Sequence, residues 1–450
     1  MRAIVVGGGV SGLTTAYDLA RAGIDVTLHE ATEHVGGKIR TTQFGGLPAV
    51  DCGADAFLAR VPWAVDLCRE LGFADELISP ASRSAYIYTR GALRSIPTPN
   101  VLGVPLDFDA LRASGIVSNE AVDIAARDLD RTVDHGMTEE DESLGSLIRR
   151  RLGDEVLEYL VDPLLGGIYA GNSDHLSVDA GAPQIAAAAR ANASLVRALD
   201  AQRRASLAAN PDAPVFFAPP DGMIRLVHEL ENALQNKVFR SDAVTIVERD
   251  STGWAVNGTR ADTVVFATPA YVTAALLRDV APRAAQQLAA IEYAGVALVS
   301  MAFARDAIGV PLDASGFLVP KPEGLAMTAC SWSSSKWSHL DDGPYALIRA
   351  STGRYRDERA LELDDDSLVA LLLDELRDAM SLRGEPVDVR VSRWPASFPQ
   401  YTPGHAQRID ALVATLRDEA PGAVLTGAAY RGIGIPALIR AARDAARSVV

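Results

Sequence analysis

A short apolar strand, a glycine-rich loop and a helix open the chain, and this arrangement restricts the possible fold more than any other feature of the sequence. Residues 2–6 (Arg-Ala-Ile-Val-Val) are an apolar run typical of a strand buried in a parallel sheet. The glycine-rich loop 7–12 follows, and a helical pattern runs from about Ser11 to Ala22, before Gly23 and a second predicted strand, 24–28 (Ile-Asp-Val-Thr-Leu). This order predicts a βαβ unit of about 30 residues and therefore an α/β fold.

The loop has the pattern Gly-x-Gly-x-x-Gly at Gly7, Gly9 and Gly12. In such a loop the first glycine permits a tight turn, the second lets the backbone approach a pyrophosphate, and the third lets helix and strand pack closely. The pyrophosphate lies on free N–H groups at the positive end of the helix. Glu30 lies 18 residues after Gly12, at the end of the second predicted strand, where an acid accepts hydrogen bonds from a ribose. The pattern therefore indicates a dinucleotide with an unphosphorylated ribose.

Length, charge and hydropathy exclude several classes of protein. The 450 residues predict two or three domains. The chain has 58 Asp and Glu against 43 Lys and Arg, and its formal net charge of −15 argues against nucleic acid as a partner and against broad docking on anionic lipid. A small anionic substrate remains compatible, because it needs only a local basic pocket. We expect no integral membrane segment, since no run of about 18 apolar residues is present. We also expect no signal peptide, because the first residues have the pattern of a strand and lack a basic region and a cleavage site.

The cysteines and histidines predict neither a metal site nor a disulfide framework. Cys52, Cys68 and Cys330 are scattered and odd in number, and no two of them have a zinc-ligand spacing. The seven histidines contain no His-x-x-x-His pair. We therefore expect reduced thiols in a cytoplasmic protein.

Changes of pattern along the chain predict several regions. The Pro-rich segment 96–105 and the segment 210–214 are predicted boundaries, and residues 106–207 between them have the spacing of amphipathic helices. Strands dominate residues 293–350, and the chain ends, as it begins, in a strand, a glycine-rich loop and a helix. We predict further helices at 62–72, 222–234, 366–381 and 436–448, and strands at 86–88, 92–93, 244–247, 254–256, 263–267 and 387–393.

Three segments beyond the first loop resemble those of flavoproteins of the amine-oxidase and porphyrinogen-oxidase superfamily. Residues 36–38 (Gly-Gly-Lys) resemble the Gly-Gly-Arg/Lys segment that follows the dinucleotide fold, where Lys38 can place charge near the phosphates. Residues 262–269 resemble the strand beside the adenosine, and residues 424–436 resemble the C-terminal glycine loop that meets the flavin. The resemblance implies FAD, held non-covalently, and the last 120 residues contain no cysteine for a covalent link.

Longer matches resemble one branch of this superfamily, the protoporphyrinogen and coproporphyrinogen oxidases. Residues 163–172 (Pro-Leu-Leu-Gly-Gly-Ile-Tyr-Ala-Gly-Asn) resemble their Gly-Gly-Ile-Tyr-Ala-Gly-Asp segment. Residues 393–405 resemble their Arg-Trp…Pro-Gln-Tyr…Gly-His signature, 53–57 their Gly-Pro/Ala-Asp-Ser-Phe segment and 330–337 their Ser-x-Lys-Trp stretch. The pattern is most similar to the soluble bacterial members. It implies an FAD-dependent oxidase that uses O₂ to turn a porphyrinogen into a porphyrin.

The same resemblance implies the domain organisation. It predicts a discontinuous Rossmann-like FAD-binding domain of the amine-oxidase/PHBH type, with an inserted antiparallel-sheet substrate domain and a helical domain. We place the FAD-binding domain at 1–85, 212–290 and 394–450, the substrate-binding domain at 86–105 and 291–393, and the helical domain at 106–211.

Carried over position by position, the resemblance also implies which residues contact the ligands. Gly167, Tyr169 and Leu318 are expected near the macrocycle, although Tyr169 and Leu318 would suit the protein core equally well. We assign no catalytic base, because the substrate gains aromaticity and strong acid–base catalysis is not required. The expected FAD contacts are Gly7, Gly8, Gly9, Val10, Ser11, Gly12, Leu13, Glu30, Gly37, Lys38, Gly53, Ala54, Asp55, Ala56, Val244, Trp394, Ile433, Gly434 and Ile435.

Two porphyrinogens remain open as the substrate. Coproporphyrinogen III carries four propionates, whereas protoporphyrinogen IX carries two propionates and two vinyl groups. Charged runs at 139–142 and 149–151 interrupt the helical segment, which favours a soluble protein and the tetra-anionic coproporphyrinogen III. Hand-over of the product to a ferrochelatase is expected, because free porphyrins aggregate and photosensitise. Propionates need cationic partners, and the candidates are Arg60, Arg83, Arg90, Arg94, Lys336 and Arg349.

Other classes of protein agree less well with the sequence. A flavin amine oxidase shares the FAD domain but leaves the Pro-Gln-Tyr segment unexplained. A carotenoid desaturase, which also shares that domain, would be expected to show a clearer membrane-docking surface. An NAD-dependent dehydrogenase has no need of the additional FAD segments. A porphyrin-carrying or FAD-binding scaffold without turnover would be marked by a decayed pocket, whereas the matched segments are intact. The oligomeric state is not determined by the sequence.

Overall fold

The computed structural model describes residues 1–132, 140–209, 213–251 and 253–450. In chain order the strands are β1 (Arg2–Val6), β2 (Asp25–His29), β3 (Thr41–Phe44), β4 (Leu47–Asp51), β5 (Phe57–Leu58), β6 (Tyr86–Thr89), β7 (Ala92–Ser95), β8 (Asn100–Val101), β9 (Val104–Pro105), β10 (Phe216–Phe217), β11 (Val238–Phe239), β12 (Val247–Asp250), β13 (Gly253–Val256), β14 (Thr259–Ala261), β15 (Thr263–Phe266), β16 (Tyr293–Phe303), β17 (Gly316–Leu318), β18 (Met327–Trp332), β19 (Ala346–Thr352), β20 (Asp388–Pro399) and β21 (Ala423–Leu425).

The α-helices are, in the same order, α1 (Val10–Arg21), α2 (Pro62–Glu70), α3 (Phe108–Ser114), α4 (Asn119–Ala126), α5 (Leu144–Leu152), α6 (Asp154–Val156), α7 (Asp162–Tyr169), α8 (Val178–Gly181), α9 (Pro183–Ala191), α10 (Leu195–Ala209), α11 (Ile224–Leu234), α12 (Ala270–Leu277), α13 (Pro282–Ala289), α14 (Ser333–Lys336), α15 (Ser338–Asp341), α16 (Asp365–Met380), α17 (His405–Glu419) and α18 (Ile435–Val449). Short 3₁₀ helices lie at Ala74–Glu76, Arg127–Asp130, Gln235–Lys237, Arg305–Ala307, Lys321–Glu323 and Arg359–Glu362, and Leu157–Val161 is π-helical.

The N-terminal βαβ unit belongs to a five-stranded parallel sheet with the strand order β11-β2-β1-β15-β21. In the middle of this sheet, Val5 of β1 lies between Leu28 of β2 and Val265 of β15. Alternate residues of β1 face opposite layers: one contains α1, α11 and α18, and the other contains α12, α13 and α17. Strands from the start, middle and end of the chain therefore form one sheet, and the expected α/β fold is confirmed.

A second, seven-stranded sheet has the order β20-β16-β19-β18-β17-β6-β7. Its neighbours pair antiparallel, except for β17 and β6, which are parallel. Helix α16 covers one face through Leu368, Leu372 and Leu376, which share a core with Val299 and Met301 of β16. The opposite face is left for the cavity described below.

The segment between β9 and β10, which contains α3 to α10, is mainly helical, as expected, and has its own core. Leu147, Leu160 and Ile185, from different helical segments, are fully buried in it. The chain passes from α6 through the π-helical stretch into α7, which ends at Ala170 in the left-handed conformation (φ 45°). This turn brings the Gly-Gly-Ile-Tyr-Ala-Gly segment to the edge of the cavity.

One strand expected from the sequence is wrong for most of its length. The pattern predicts a strand over 244–247, but β12 begins only at Val247. The backbone N–H groups of Thr245 and Ile246 donate to the side-chain oxygen of Asn257, at 3.0 and 3.2 Å. A side chain thus takes the place of a neighbouring strand, which the apolar pattern could not indicate.

Part of the expected boundary at 210–214 lies outside the described residues, and so does Glu139 of the acidic run. Within the described ranges, no helix has the length and apolar character needed to cross a membrane. The same ranges contain no cluster of three His, Cys, Asp or Glu side chains suited to hold a metal ion.

Candidate active site

A cavity of about 800 Å³ lies where the carboxyl ends of β1, β2 and β15 meet the seven-stranded sheet and α7. Ligands of open α/β sheets bind at this edge. We call its lining from segments 7–11, 29–31, 36–39, 53–56, 267–269 and 427–435 the nucleotide end, and its lining from 162–171, 296–298, 319–328 and 349–354 the sheet end.

The first loop forms a close-packed cradle at the nucleotide end. Gly7 has φ of 105°, in the region that favours glycine, and a Cβ added at Gly12 would lie 1.9 Å from the Gly7 carbonyl oxygen. At Gly9 an added Cβ would meet no atom within 4 Å, and this position lines the cavity. Gly9 also caps α1 and has no side chain to bond the first-turn N–H groups. The cradle is therefore open where a pyrophosphate would approach those groups.

Glu30 lies beside this loop at the end of β2. Its Oε2 accepts a hydrogen bond from the Gly8 N–H at 2.7 Å, and its Oε1 accepts one from the Thr32 N–H at 2.9 Å. These two backbone donors orient the carboxylate at the cavity wall. The position is the one at which an acid holds a ribose in dinucleotide folds.

Lys38 lies on the segment that packs across the glycine loop, where the Gly36 N–H donates to the Gly8 carbonyl at 2.8 Å. The Lys38 side chain faces the open cavity, yet protein surrounds it on the other sides, and its Nζ donates to the Ser397 carbonyl. Desolvation lowers the pKa of this amine to about 8. A phosphate in the cavity would favour the charged form of Lys38.

Asp55 joins the nucleotide end to the seven-stranded sheet. Its carboxylate lies 2.8 Å from Lys336 Nζ and 3.2 Å from Arg349 Nη2, and it accepts a hydrogen bond from Trp337 Nε1. Burial alone would raise the pKa of Asp55, but the charges of Lys336 and Arg349 outweigh it and hold that pKa well below its usual range. Arg349 also donates to the Gly53 carbonyl at 2.9 Å. Two of the cations expected to bind propionates are thus engaged with Asp55.

The C-terminal glycine loop is held in place by Tyr401. The Tyr401 hydroxyl donates to the Ala428 carbonyl and accepts from the Gly432 N–H at 2.8 Å. Its ring stacks on His405 at 4.0 Å, and burial lowers the pKa of that histidine to about 4, so it is neutral near pH 7. Through these contacts the Pro-Gln-Tyr and Gly-His segments pack next to the C-terminal glycine loop.

The sheet end is lined by apolar and charged side chains in addition to the glycines of the α7 segment. Val296 and Leu298 of β16 face the cavity, whereas Val299 belongs to the core on the other face of the sheet. Ile168 of α7 is 50% exposed at the cavity. Arg354 follows β19 and lines the same end. Sequence analysis missed Arg354, and the alternation along β16 is the signal that could have found Val296 and Leu298.

Most of the residues expected at the site lie around this cavity. Gly12 and Leu13 follow the lining residues of α1 without lining the cavity themselves, and Gly434, which precedes α18, does not line it either. The expected residues that line it are Gly7, Gly8, Gly9, Val10, Ser11, Glu30, Gly37, Lys38, Gly53, Ala54, Asp55, Ala56, Val244, Trp394, Ile433, Ile435 and Gly167.

Tyr169 and Leu318, expected near the macrocycle, lie in the neighbouring core. The Tyr169 ring is 5.9 Å from the Tyr401 ring, and its carbonyl accepts from the Gln400 side chain at 3.1 Å. Leu318 packs against the core of the helical region. Neither residue lines the cavity.

Four further candidate cations lie away from the cavity lining. Arg60, Arg83 and Arg90 are exposed, and Arg90 pairs with Glu155 at 3.7 Å. Arg94 is partly buried beside Gly115. The structure therefore brings none of these four to the site.

The donor set at the nucleotide end fits FAD. An open glycine cradle, uncapped helix N–H groups, an acid and an amine face one space. The family model described as flavin containing amine oxidoreductase matches residues 10–450. The chain belongs to this family. FAD as the cofactor of this flavin oxidoreductase, and its function as an enzyme, are thereby confirmed.

Near full-length relatives refine the position of this flavin oxidoreductase within its family. It is 32% identical over 448 residues to a coproporphyrinogen III oxidase of Bacillus subtilis, covering 96% of the chain and 94% of the relative. It is 37% identical to a coproporphyrinogen III oxidase of Mycobacterium bovis, covering 99% and 96%. A crystal structure from Exiguobacterium sp. 255-15, named as a protoporphyrinogen oxidase, superimposes with a TM-score of 0.89 at 30% identity and covers 100% of the chain and 98% of its own. The expected branch of the superfamily is confirmed.

Proposed function

We propose that the protein is an FAD-dependent oxidase that converts coproporphyrinogen III to coproporphyrin III. The observation that carries the proposal is the continuity of one cavity from the glycine cradle to the apolar face of the seven-stranded sheet. A flat substrate on that face would adjoin the flavin. The two curated relatives at 32% and 37% identity, both named coproporphyrinogen III oxidase, support this substrate.

The sheet end supplies the surface on which a macrocycle would rest. Val296 and Leu298 present apolar side chains to the cavity from β16, and Val319, which directly follows β17 of the same sheet, also lines it. Ile168 lies on α7, across the cavity lining from that sheet. Packing between these groups would orient the ring and exclude water, which is the main task of the protein when a cofactor supplies the electron chemistry.

Oxidation of a porphyrinogen to a porphyrin removes six electrons and six protons. FAD held at the nucleotide end would supply two-electron redox chemistry, so the six electrons correspond to three rounds and, with O₂ as the acceptor, to three H₂O₂. In the described part of the chain, the carboxylates that line the cavity are Glu30, Asp55 and Asp162. Each already accepts bonds from protein donors: Glu30 from backbone N–H groups, and Asp55 and Asp162 from lysines. None of the three carboxylates is therefore free to act as a general base. This agrees with a reaction whose product becomes aromatic, because such a reaction does not require strong acid–base catalysis.

O₂ as the acceptor, a cytoplasmic location and hand-over of the porphyrin to a ferrochelatase are further parts of this proposal. Porphyrin release is the step that hand-over would serve, since the product aggregates in water. Exchange of the product between the two purified enzymes, followed by porphyrin fluorescence, tests the last point.

Protoporphyrinogen IX is the second candidate substrate, and the structural relative named as a protoporphyrinogen oxidase favours it. Aerobic turnover of both porphyrinogens, followed by porphyrin fluorescence and peroxide release, separates the two. We expect coproporphyrinogen III to lead by more than about tenfold in kcat/KM, which is about 1.4 kcal/mol of transition-state preference. An anaerobic sample is the control. A lead for protoporphyrinogen IX would support the second candidate, and oxidation of neither by the FAD-loaded protein would contradict both.

A further inference from the structure

Arg354 holds a fixed place at the sheet end of the cavity. Its backbone N–H donates to the Asp357 carbonyl at 3.1 Å, and the Asp357 N–H donates back to the Arg354 carbonyl at 2.9 Å. The next residue, Tyr355, donates to the carbonyl of Ala170 at 2.7 Å, which ties this turn to the end of the α7 segment. The backbone therefore directs Arg354 to the junction of the sheet and α7.

The charges near Arg354 are already engaged with other groups. Asp162 and Asp357 are the acids whose charges act on its guanidinium, and they oppose the lowering of its pKa by burial. Asp162 lies 3.0 Å from Lys321 Nζ, and it also accepts the Ser173 N–H at 2.9 Å. Asp357 lies 3.2 Å from the Arg359 guanidinium. The Arg354 guanidinium is thus partly desolvated, and no carboxylate in the described part of the chain forms a hydrogen bond with it that would offset the cost of this desolvation.

The other cations of the cavity differ from Arg354 in this respect. Lys38 donates to the Ser397 carbonyl, and Arg349 pairs with Asp55. Among the lysines and arginines that line the cavity in the described ranges, Arg354 is therefore the one whose side chain no protein acceptor binds. A desolvated guanidinium is stabilised most by a carboxylate, which can accept two parallel N–H bonds.

We propose that Arg354 binds a carboxylate of the substrate, a propionate side chain of the porphyrinogen, and thereby positions the macrocycle on the sheet end. The proposal rests on the proposed function, since it takes the porphyrinogen as the occupant of the cavity. The Arg354 guanidinium would form a bidentate pair with the propionate while the ring packs on Val296 and Leu298. Arg354 is a substrate-positioning residue here, and it exchanges no electron or proton with the ring.

The test compares Arg354→Gln and Arg354→Lys with the wild-type FAD-loaded enzyme. The substrates are coproporphyrinogen III and its tetramethyl ester, assayed in the same detergent. We expect Arg354→Gln to raise KM for the free acid by about tenfold or more, as for loss of a charged hydrogen bond. The kcat at saturation and the KM for the ester should stay within about twofold of wild type. The KM of Arg354→Lys should lie between those of Arg354→Gln and the wild type, because lysine keeps the positive charge but lacks the paired N–H donors of the guanidinium.

Arg356→Gln is the matched control. It removes the same charge from the same segment, but the Arg356 side chain is exposed and lies against Tyr355 and His175 rather than at the cavity. We expect its KM values to equal those of the wild type. The FAD absorbance and thermal midpoint of Arg354→Gln should also match the wild type, which a purely structural role would not allow. An unchanged KM for the free acid, or equal rises for acid and ester, would overturn the proposal.

Equilibrium binding of coproporphyrin III to the FAD-loaded protein, measured by fluorescence, tests Arg354 without turnover. Arg354→Gln should bind this tetracarboxylate about tenfold more weakly than wild type, and equal affinities would overturn the role of Arg354. A wild-type enzyme that binds the porphyrin but oxidises neither porphyrinogen would instead contradict the proposed function alone.

Discussion

The two ends of the cavity are built in different ways. The nucleotide end consists largely of backbone, and behind it the glycine loop packs so closely on α1 that an added methyl group at Gly12 would lie 1.9 Å from the Gly7 carbonyl oxygen. The sheet end depends more on side chains, such as Leu298 and Arg354, on a strand and a turn whose backbones are fixed by other contacts. A substitution alters a backbone-lined site only by disturbing the fold. At a site lined by side chains, single substitutions can change the shape or charge of the site while the fold is kept. The first is suited to a constant cofactor and the second to a selected substrate.

The largest effect is expected from Gly12→Ala at the nucleotide end. The new Cβ would overlap the Gly7 carbonyl oxygen, so the loop and the start of α1 must shift. Overpacking of this kind costs about 3 kcal/mol. We expect the purified variant to retain no FAD and to unfold at a lower temperature, as measured by the flavin absorbance per protein and by thermal denaturation.

Gly9→Ala is the control for that variant, because an added Cβ at Gly9 meets nothing within 4 Å. The FAD-free form should keep its free energy of unfolding within about 0.5 kcal/mol of wild type. FAD affinity should nevertheless fall, since the methyl group fills space in the cradle. Equal stability losses in the two FAD-free variants would show that the cradle is not open at Gly9.

A smaller and separable effect is expected at the sheet end from Leu298→Ala and Val299→Ala. These neighbours on β16 face opposite sides of the sheet, Leu298 the cavity and Val299 the core under α16. Leu298→Ala should raise KM by at least about fourfold with normal FAD content, because the loss of even one methylene contact is worth about 0.8 kcal/mol. Val299→Ala should lower the free energy of unfolding by about 2 kcal/mol and leave KM unchanged. Steady-state kinetics measure KM, and urea denaturation measures the free energy of unfolding. A raised KM in Val299→Ala together with a lowered stability in Leu298→Ala would show that the substrate does not bind on this face of the sheet.

The smallest effect is a pH dependence that originates at Lys38. Burial lowers the pKa of its amine to about 8, below the ordinary value of about 10.4. At pH values between the folded and unfolded pKa of Lys38, the unfolded chain binds more protons than the folded chain. The free energy of unfolding therefore rises with pH over this interval. Urea denaturation of the FAD-free wild type and of Lys38→Met at about pH 7.5 and 9.5 should show this rise only in the wild type. A rise of the same size in Lys38→Met would assign it to another group.

The sequence alone determined the α/β fold, the glycine cradle and Glu30, because each depends on residues that are close along the chain. The apolar runs, the glycine spacing and the acid after β2 act through local backbone geometry, which a linear pattern records. The strand expected at 244–247 failed for the converse reason, since the side chain of Asn257 binds those N–H groups from beyond the pattern.

Only the tertiary structure decided which side chains form the sheet end. Lys336 and Arg349 were reasonable candidates for binding propionates, but the fold places both against Asp55, which lies about 280 positions or more away along the chain. Arg354 carried no signal in the sequence, and it faces the cavity because its turn is bonded to Ala170 of the α7 segment. Whether a charge is paired depends on groups that strand pairing and helix packing bring together, and charges that meet in this way leave no fixed spacing in the sequence.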